Sequence, residues 1–287
     1  MKTSIALALS FALTAPVMAE TTPLTFDVYY GDDNSFNVTS TVVAGENEVM
    51  VIDTGFSRAD ALQIAAKVLD SGKALKTIYI SQADPDYYFG ASQLLEIFPH
   101  ANVLTTQAVR DAIVKKLKTK ISFWSPKMGT NAPKHPRVPD VFKGTVLKVD
   151  DTVIEIKGTE GVLAHRPYLW IPSEKTILGN VGIVEGMHVW MADTQTEEEV
   201  AAWLDQLKEM QSLTPELVIP GHMKNAGKLD PSSIEYTATW IERFADAKAK
   251  SEDSKSVIDT MVGYYPKLGA TFTLELGARV HEGETQW

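Results

Sequence analysis

Two runs of predicted strands, each followed by helices, constrain the fold of this chain more than any other feature. Segments rich in β-branched and aromatic residues predict the strands, and apolar residues at helical spacing predict the helices. In the first half the predicted strands are 25–31, 37–44, 48–53, 76–81 and 101–104, and the predicted helices are 57–69, 89–98 and 106–117. In the second half the predicted strands are 145–149, 153–156, 168–171, 176–178 and 216–219, and the predicted helices are 197–213 and 231–250. Because no linker separates the halves, this order favours one layered α/β (α+β) domain with sheet packed on sheet and helices outside.

The composition agrees with such a domain and excludes several other classes of protein. The chain has 287 residues, of which 44% are hydrophobic and 22% are charged, as is usual for a globular protein. The absence of Cys excludes a disulfide scaffold, a Cys-ligated metal site and a Cys nucleophile. A net charge of -10 argues against a nucleic-acid partner, because phosphate binding needs a basic face. We therefore expect a small-molecule substrate or ligand and no nucleic acid, whereas the sequence predicts no particular oligomeric state.

The first nineteen residues have the pattern of a secretory signal peptide. Lys2 precedes an apolar run at 5–13, and small or modest residues at 17–19 fit a cleavage site. No other apolar run approaches the roughly 20 residues that a membrane-spanning helix needs. We therefore expect export to a periplasm or secretion, with residues 20–287 forming the mature domain and no membrane span. The absence of Cys suits an oxidising compartment.

Five short motifs, in a fixed order, carry a family resemblance. They are VIDTG at 51–55, IYIS at 78–81, DPDYYFG at 84–90, ILGN at 177–180 and VIPGH at 218–222. In this order and spacing the chain resembles the metallo-β-lactamase superfamily. The resemblance implies a four-layer αββα sandwich whose cleft holds one or two metal ions, most often zinc. It also implies hydrolysis of an ester, lactone, thioester, phosphoester or β-lactam by a metal-activated water.

The metal-binding positions of that superfamily are largely changed in this sequence. The residues at the His-x-His-x-Asp-His motif and at two later ligand positions are Gln82, Asp84, Asp86, Tyr87, Asn180 and His222. Only Asp86 and His222 match the pattern, and His165 is the imidazole nearest to one further ligand position. Amide oxygens bind zinc weakly, and ionising a tyrosine near neutral pH is costly because its reference pKa is about 10. We therefore expect neither a dinuclear centre nor efficient β-lactamase activity.

Two functions remain open from the sequence. In the first, Asp84, Asp86, His222 and tentatively His165 hold one divalent ion of zinc, manganese or iron, and Asp86 and His222 are the catalytic residues of a hydrolase. In the second, the chain is a pseudoenzyme that holds no metal and binds a small molecule or a partner in the same cleft. A purely structural interpretation also exists for Asp84 and Asp86, because carboxylates at a helix start can cap its N–H groups.

Further polar and aromatic residues are expected around the cleft. The candidates are Gln82, Tyr87, Arg166, Asn180, His188 and Trp190. Arg166 could hold an anionic substrate group or pair with a surface acid. The segment 122–138 contains three prolines and fits no periodicity, which predicts a loop that is either a lid or a surface excursion.

Overall fold

The computed structural model describes residues 22–224 and 227–287. The predicted signal peptide, residues 1–19, lies outside the described residues. Within the described part of the chain, no helix is both long and apolar enough to cross a membrane.

Six strands form the first sheet, and they follow one another in chain order across it. They are β1 (Thr25–Tyr30), β2 (Thr39–Ala44), β3 (Glu48–Ile52), β4 (Ala74–Tyr79), β5 (Asn102–Thr105) and β6 (Asp140–Val141). Strands β1 to β3 pair antiparallel, whereas β3 to β6 pair parallel. Parallel neighbours need crossover connections, and helices supply them here. The helices are α1 (Arg58–Asp70), α2 (Pro85–Tyr88), α3 (Ala91–Ile97) and α4 (Gln107–Met128).

The second half of the chain forms a five-stranded sheet and a small two-stranded one. The strands are β7 (Val146–Val149), β8 (Thr152–Lys157), β9 (Tyr168–Ile171), β10 (Thr176–Leu178), β11 (Val184–Glu185), β12 (Leu217–Val218) and β13 (His222–Met223). The larger sheet has the order β12-β10-β9-β8-β7, and β11 pairs parallel with β13. The helices of this half are α5 (Glu197–Ser212), α6 (Ser232–Lys250), α7 (Ser254–Tyr264) and α8 (Phe272–His281).

Three clusters of buried hydrophobic side chains hold the layers together. One contains residues of the first sheet and of α1, α3 and α4, among them Val51 and Ile64. A second contains residues of both sheets, among them Ile52 and Leu169. The third joins the second sheet to α5 through α8, with Trp240 at its centre. These clusters give the order helix, sheet, sheet, helix, which confirms the predicted αββα sandwich.

Helix α4 is longer than the sequence predicts. The predicted helix ends at 117 and is followed by a loop at 122–138, whereas α4 continues to Met128. Pro126 lies in its last turn, where it leaves only one helical hydrogen bond unmade. Contacts of Trp124 with Phe36 and Phe56, at ring-centroid distances of 5.4 and 5.2 Å, hold this end of the helix in place. The loop prediction is therefore wrong for 122–128, and the sequence also missed α7 and α8.

The carboxylate of Asp60 joins the start of α1 to the first sheet. It accepts hydrogen bonds from the Tyr29 hydroxyl at 2.7 Å and the Ser35 hydroxyl at 2.6 Å. It also accepts from the backbone N–H groups of Phe56 and Ser57 at 3.1 and 2.9 Å. The last of these contacts belongs to a capping box at the helix N-terminus.

We expect Asp60→Ala to lower the free energy of unfolding by about 3 kcal/mol, because several buried donors would lose their acceptor. Urea denaturation followed by circular dichroism measures this change. The control is Asp70→Ala at the exposed end of the same helix, which should change stability by less than about 0.5 kcal/mol. Equal stability of the two variants would contradict the structural role of Asp60.

Candidate functional site

The loops after β3 and β4 are tied together by a buried carboxylate. Asp53 accepts hydrogen bonds from the backbone N–H of Ser81 at 2.8 Å and from its hydroxyl at 2.7 Å. Burial raises the pKa of Asp53 to about 7, and the two Ser81 contacts offset part of that effect. Gly90 permits the close approach of the next segment, because a Cβ there would lie 2.0 Å from the carbonyl oxygen of Thr54. These contacts fix the position of the loop and short helix that follow β4.

Asp84 and Asp86 lie at the start of α2, on either side of Pro85. The side chain of Asp84 makes no capping hydrogen bond, and instead pairs with the ammonium group of Lys120 on α4 at 3.6 Å. Asp86 is buried. Burial, together with the neighbouring Asp84 carboxylate, holds the pKa of Asp86 well above its usual range, so its neutral form is favoured.

His222, at the start of β13, faces Asp86. Its Nε2 lies 3.5 Å from Oδ2 of Asp86, and its Nδ1 lies 2.9 Å from the carbonyl oxygen of Phe36. Because a carbonyl oxygen only accepts, Nδ1 carries the proton, and Nε2 of the neutral ring is left as an acceptor. Burial lowers the pKa of His222, which favours this neutral ring. The two residues predicted as catalytic are therefore brought together.

The other family positions are engaged in internal contacts. Oε1 of Gln82 accepts from the backbone N–H of Ala83 at 2.5 Å. The amide of Asn180 accepts from the backbone of Ile183 at 2.8 Å and donates to the carbonyl oxygen of Ile219 at 3.2 Å. The side-chain amides of Gln82 and Asn180 therefore form hydrogen bonds with backbone groups around the cleft.

Tyr87 is fully buried beside the cleft. Its ring packs edge-on against that of His222, with the centroids 5.6 Å apart. Its hydroxyl has no hydrogen-bond partner among the described residues. Burial and the nearby carboxylates raise the pKa of Tyr87 well above its usual range, so the phenol stays neutral.

The next predicted residues are Arg166 and His165, and Arg166 is held by internal contacts. Arg166 is buried, donates from Nη1 to the Thr194 hydroxyl at 2.6 Å and from Nη2 to the carbonyl oxygen of Asp193 at 3.2 Å, and lies over the Trp203 ring. Its neighbour His165 is partly exposed and is not among the residues that line the cleft pocket described below.

His188 is also buried and its ring nitrogens are both engaged. Nε2 lies 2.9 Å from the carbonyl oxygen of Gly269, and Nδ1 accepts from the indole of Trp240 at 3.1 Å. Trp190 donates from its indole to the Asp193 carboxylate at 2.7 Å. His188 therefore holds neighbouring segments together, and Trp190 lines the pocket described in the next paragraph.

A pocket of about 180 Å³ lies over Asp86 and His222. Two aromatic clusters line it, which we name the Phe36 cluster (Phe36, Phe56, Phe123 and Trp124) and the Trp190 cluster (Trp190, Phe272 and Trp287). Of these seven rings, only Trp190 was predicted from the sequence to lie at the cleft. The two clusters combine rings from segments far apart in the chain, so no sequence motif predicts that all seven line one pocket.

The residues around the pocket do not fit the family's metal centre. Among residues 22–224 and 227–287, no three His, Asp or Glu side chains are arranged to hold a metal ion. Asp86 and His222 lie together, but Asp84 pairs with Lys120, and His165 does not line the pocket. A dinuclear zinc site needs several imidazole or carboxylate ligands around one point, which this arrangement does not provide.

Comparison with known proteins agrees with the fold. The family model described as the metallo-beta-lactamase superfamily matches residues 34–178, just over half of the chain. A beta-lactamase domain protein from Burkholderia ambifaria is 14% identical, with a TM-score of 0.63 over 94% of this chain and 90% of that one. A metallo-beta-lactamase family protein from Thermus thermophilus is 15% identical, with a TM-score of 0.62 over 88% and 91%.

A metallo-beta-lactamase from Pontibacter korlensis is 13% identical, with a TM-score of 0.55 over 79% of this chain and 97% of that one. At these identities the solved structures show a shared fold alone. No curated protein matches the sequence significantly. From the matching family model and the αββα architecture, the chain belongs to the metallo-β-lactamase superfamily.

Proposed function

We propose that this chain is a pseudoenzyme of the superfamily, which binds a small molecule in the aromatic pocket and holds no catalytic metal. One observation carries this proposal. The side chains at most of the family's ligand positions are engaged elsewhere, and only Asp86 and His222 meet at the pocket floor. The geometry thus favours the second of the two functions that the sequence leaves open.

The electrostatics of the pair support the proposal. A divalent cation is bound best by ionised carboxylates and neutral imidazoles that converge on it. Here burial holds the pKa of Asp86 well above its usual range, so its ionised form is disfavoured. The remaining carboxylate, Asp84, is neutralised by the ammonium group of Lys120. A metal at the pocket floor would therefore have to compete with Lys120 for Asp84 and to offset the cost of ionising Asp86 in a buried site.

The first test is the metal content of the protein. We expect protein purified without chelators or a polyhistidine tag to contain less than about 0.1 zinc, manganese or iron per chain, because no group of ligands converges on one point. Elemental analysis measures this content, and added metal should not raise the melting temperature. One metal per chain that is lost in both Asp86→Ala and His222→Ala would instead establish the single-metal site.

A second candidate function, hydrolysis of an ester, lactone or amide, is favoured by the contact between Asp86 and His222. Their 3.5 Å separation at the floor of a pocket places a carboxyl group and an imidazole where a water could be activated. In that mechanism Asp86 is the general base, and His222 stabilises developing charge after taking a proton on Nε2. Because only two of the family's ligand positions meet at this pocket among the described residues, we rank binding first.

Turnover assays separate the two functions. We expect p-nitrophenyl acetate and the β-lactam nitrocefin to be hydrolysed no faster by the wild-type protein than by His222→Ala, because the described residues offer no group of converging ligands for a metal that would activate a water. Absorbance assays with and without a chelator measure both rates. Hydrolysis that falls in His222→Ala, while the Tyr264→Ala protein keeps it, would identify the chain as a hydrolase.

We also propose export to the periplasm or outside the cell, on the pattern of residues 1–19. N-terminal sequencing of protein from the periplasmic fraction should begin at Glu20. Protein recovered from the cytoplasm with Met1 to Ala19 still attached would contradict export.

A further inference from the structure

The volume of the pocket suits a compact molecule. Its volume is about 180 Å³, whereas pockets for drug-sized ligands hold about 300–1,000 Å³. An apolar cavity of about 150 Å³ accommodates benzene. A single ring with small substituents therefore fits the volume.

The walls favour an aromatic ring. In the Phe36 cluster, Trp124 meets Phe56 and Phe123 edge-on, with centroids 5.2 and 4.8 Å apart. In the Trp190 cluster, the ring of Trp190 lies 5.2 Å from that of Trp287. Aromatic rings pack favourably edge-to-face or offset against one another, so these two walls provide contacts for a planar ligand between them.

The charged groups of the lining are already partnered, which favours a neutral ligand. Asp84 pairs with Lys120 at 3.6 Å. The carboxylate of Asp193 accepts from the indoles of Trp190 and Trp287 at 2.7 and 3.1 Å. It also lies 3.4 Å from the ammonium group of a lysine on α4. A charged ligand would lose its hydration without gaining a free counter-charge, which is costly.

The contact between Asp86 and His222 leaves hydrogen-bonding capacity at the pocket floor. Nδ1 of His222 is engaged with Phe36, and Nε2 lies 3.5 Å from Asp86, beyond the usual 2.7–3.2 Å of a strong hydrogen bond. A hydroxyl group on the pocket side of both residues could donate to Nε2 and also contact the carboxyl group. His188, the other imidazole of the lining, has both nitrogens engaged and offers no such position.

We propose that the pocket takes a neutral, single-ring aromatic compound whose one hydroxyl group bridges His222 and Asp86 from the pocket side. This inference rests on the proposed binding function and names its ligand class. The ring is held between the Phe36 and Trp190 clusters, and the hydroxyl fixes its orientation.

Isothermal titration calorimetry with four matched probes tests the proposal. The probes are p-cresol, p-xylene, the anion p-toluate and the cation 4-methylbenzylammonium, each at pH 7 with the full chain. We expect p-cresol to bind about tenfold more tightly than p-xylene, because only p-cresol makes the hydrogen bond. Both charged probes should bind more weakly than p-xylene.

Single substitutions test which residues of the pocket contact the probe. Trp124→Ala should weaken p-cresol and p-xylene alike, whereas His222→Phe should remove the advantage of p-cresol and leave p-xylene unchanged. Tyr264→Ala alters an exposed ring outside the pocket and should change neither affinity. If His222→Phe does not fold, nitrogen NMR of the wild-type protein replaces it. There p-cresol should shift the His222 Nε2 resonance and p-xylene should not.

Failure of the proposed ligand class and failure of the proposed binding function give different results. If a charged probe binds most tightly and loses its affinity in Trp124→Ala, or if p-xylene equals p-cresol, the ligand class proposed here is wrong and the binding function stands. If none of the four probes produces a heat of binding, both the ligand class and the proposed use of this pocket are overturned.

Discussion

The hydrogen bonds between Asp53 and Ser81 are the constraint on which the rest of the site depends. Asp53 follows β3 and Ser81 follows β4, so one buried carboxylate joins the ends of two neighbouring parallel strands. The loop that leaves β4 is then held in one position, and α2 begins from it. Asp86 owes its position to that loop, and His222 reaches it from β13 in the other half of the molecule. The junction thus determines where two distant parts of the chain can meet.

The pair at the floor of the pocket shows how one scaffold can support different chemistry. In the superfamily, a metal-activated water needs converging carboxylate and imidazole ligands. Here burial raises the pKa of Asp86 and lowers that of His222, and both residues line a largely aromatic pocket. This floor is the basis of the proposal that the pocket binds an uncharged molecule.

Local signals explain which parts of the fold could be predicted from the sequence. The capping box of Thr196 and Glu199 marks the start of α5, and the structure contains both of its hydrogen bonds. The end of α4 could not be predicted, because Pro126 is a local helix-breaking signal whereas the contacts of Trp124 that outweigh it come from Phe36 and Phe56. Tertiary packing decides such cases.

The candidate site was predictable only in part for the same reason. The family motifs identify Asp86 and His222, which do meet. No spacing in the sequence links Phe36 with Phe272 or Trp287, because the fold alone brings these rings to one pocket. The internal hydrogen bonds of Arg166 and His188 could not be predicted either, because their partners lie on other segments of the chain.

The hydrogen bonds of Asn180 and the packing of Tyr87 determine what a change to a metal ligand would cost at these two positions. Its amide donates to one backbone carbonyl and accepts from one backbone N–H, so a carboxylate at this position would face the Ile219 carbonyl with no proton to share. A histidine in place of Tyr87 would leave unfilled volume beside His222. Replacing either residue by the family's metal ligand therefore lowers stability before any bound metal can compensate.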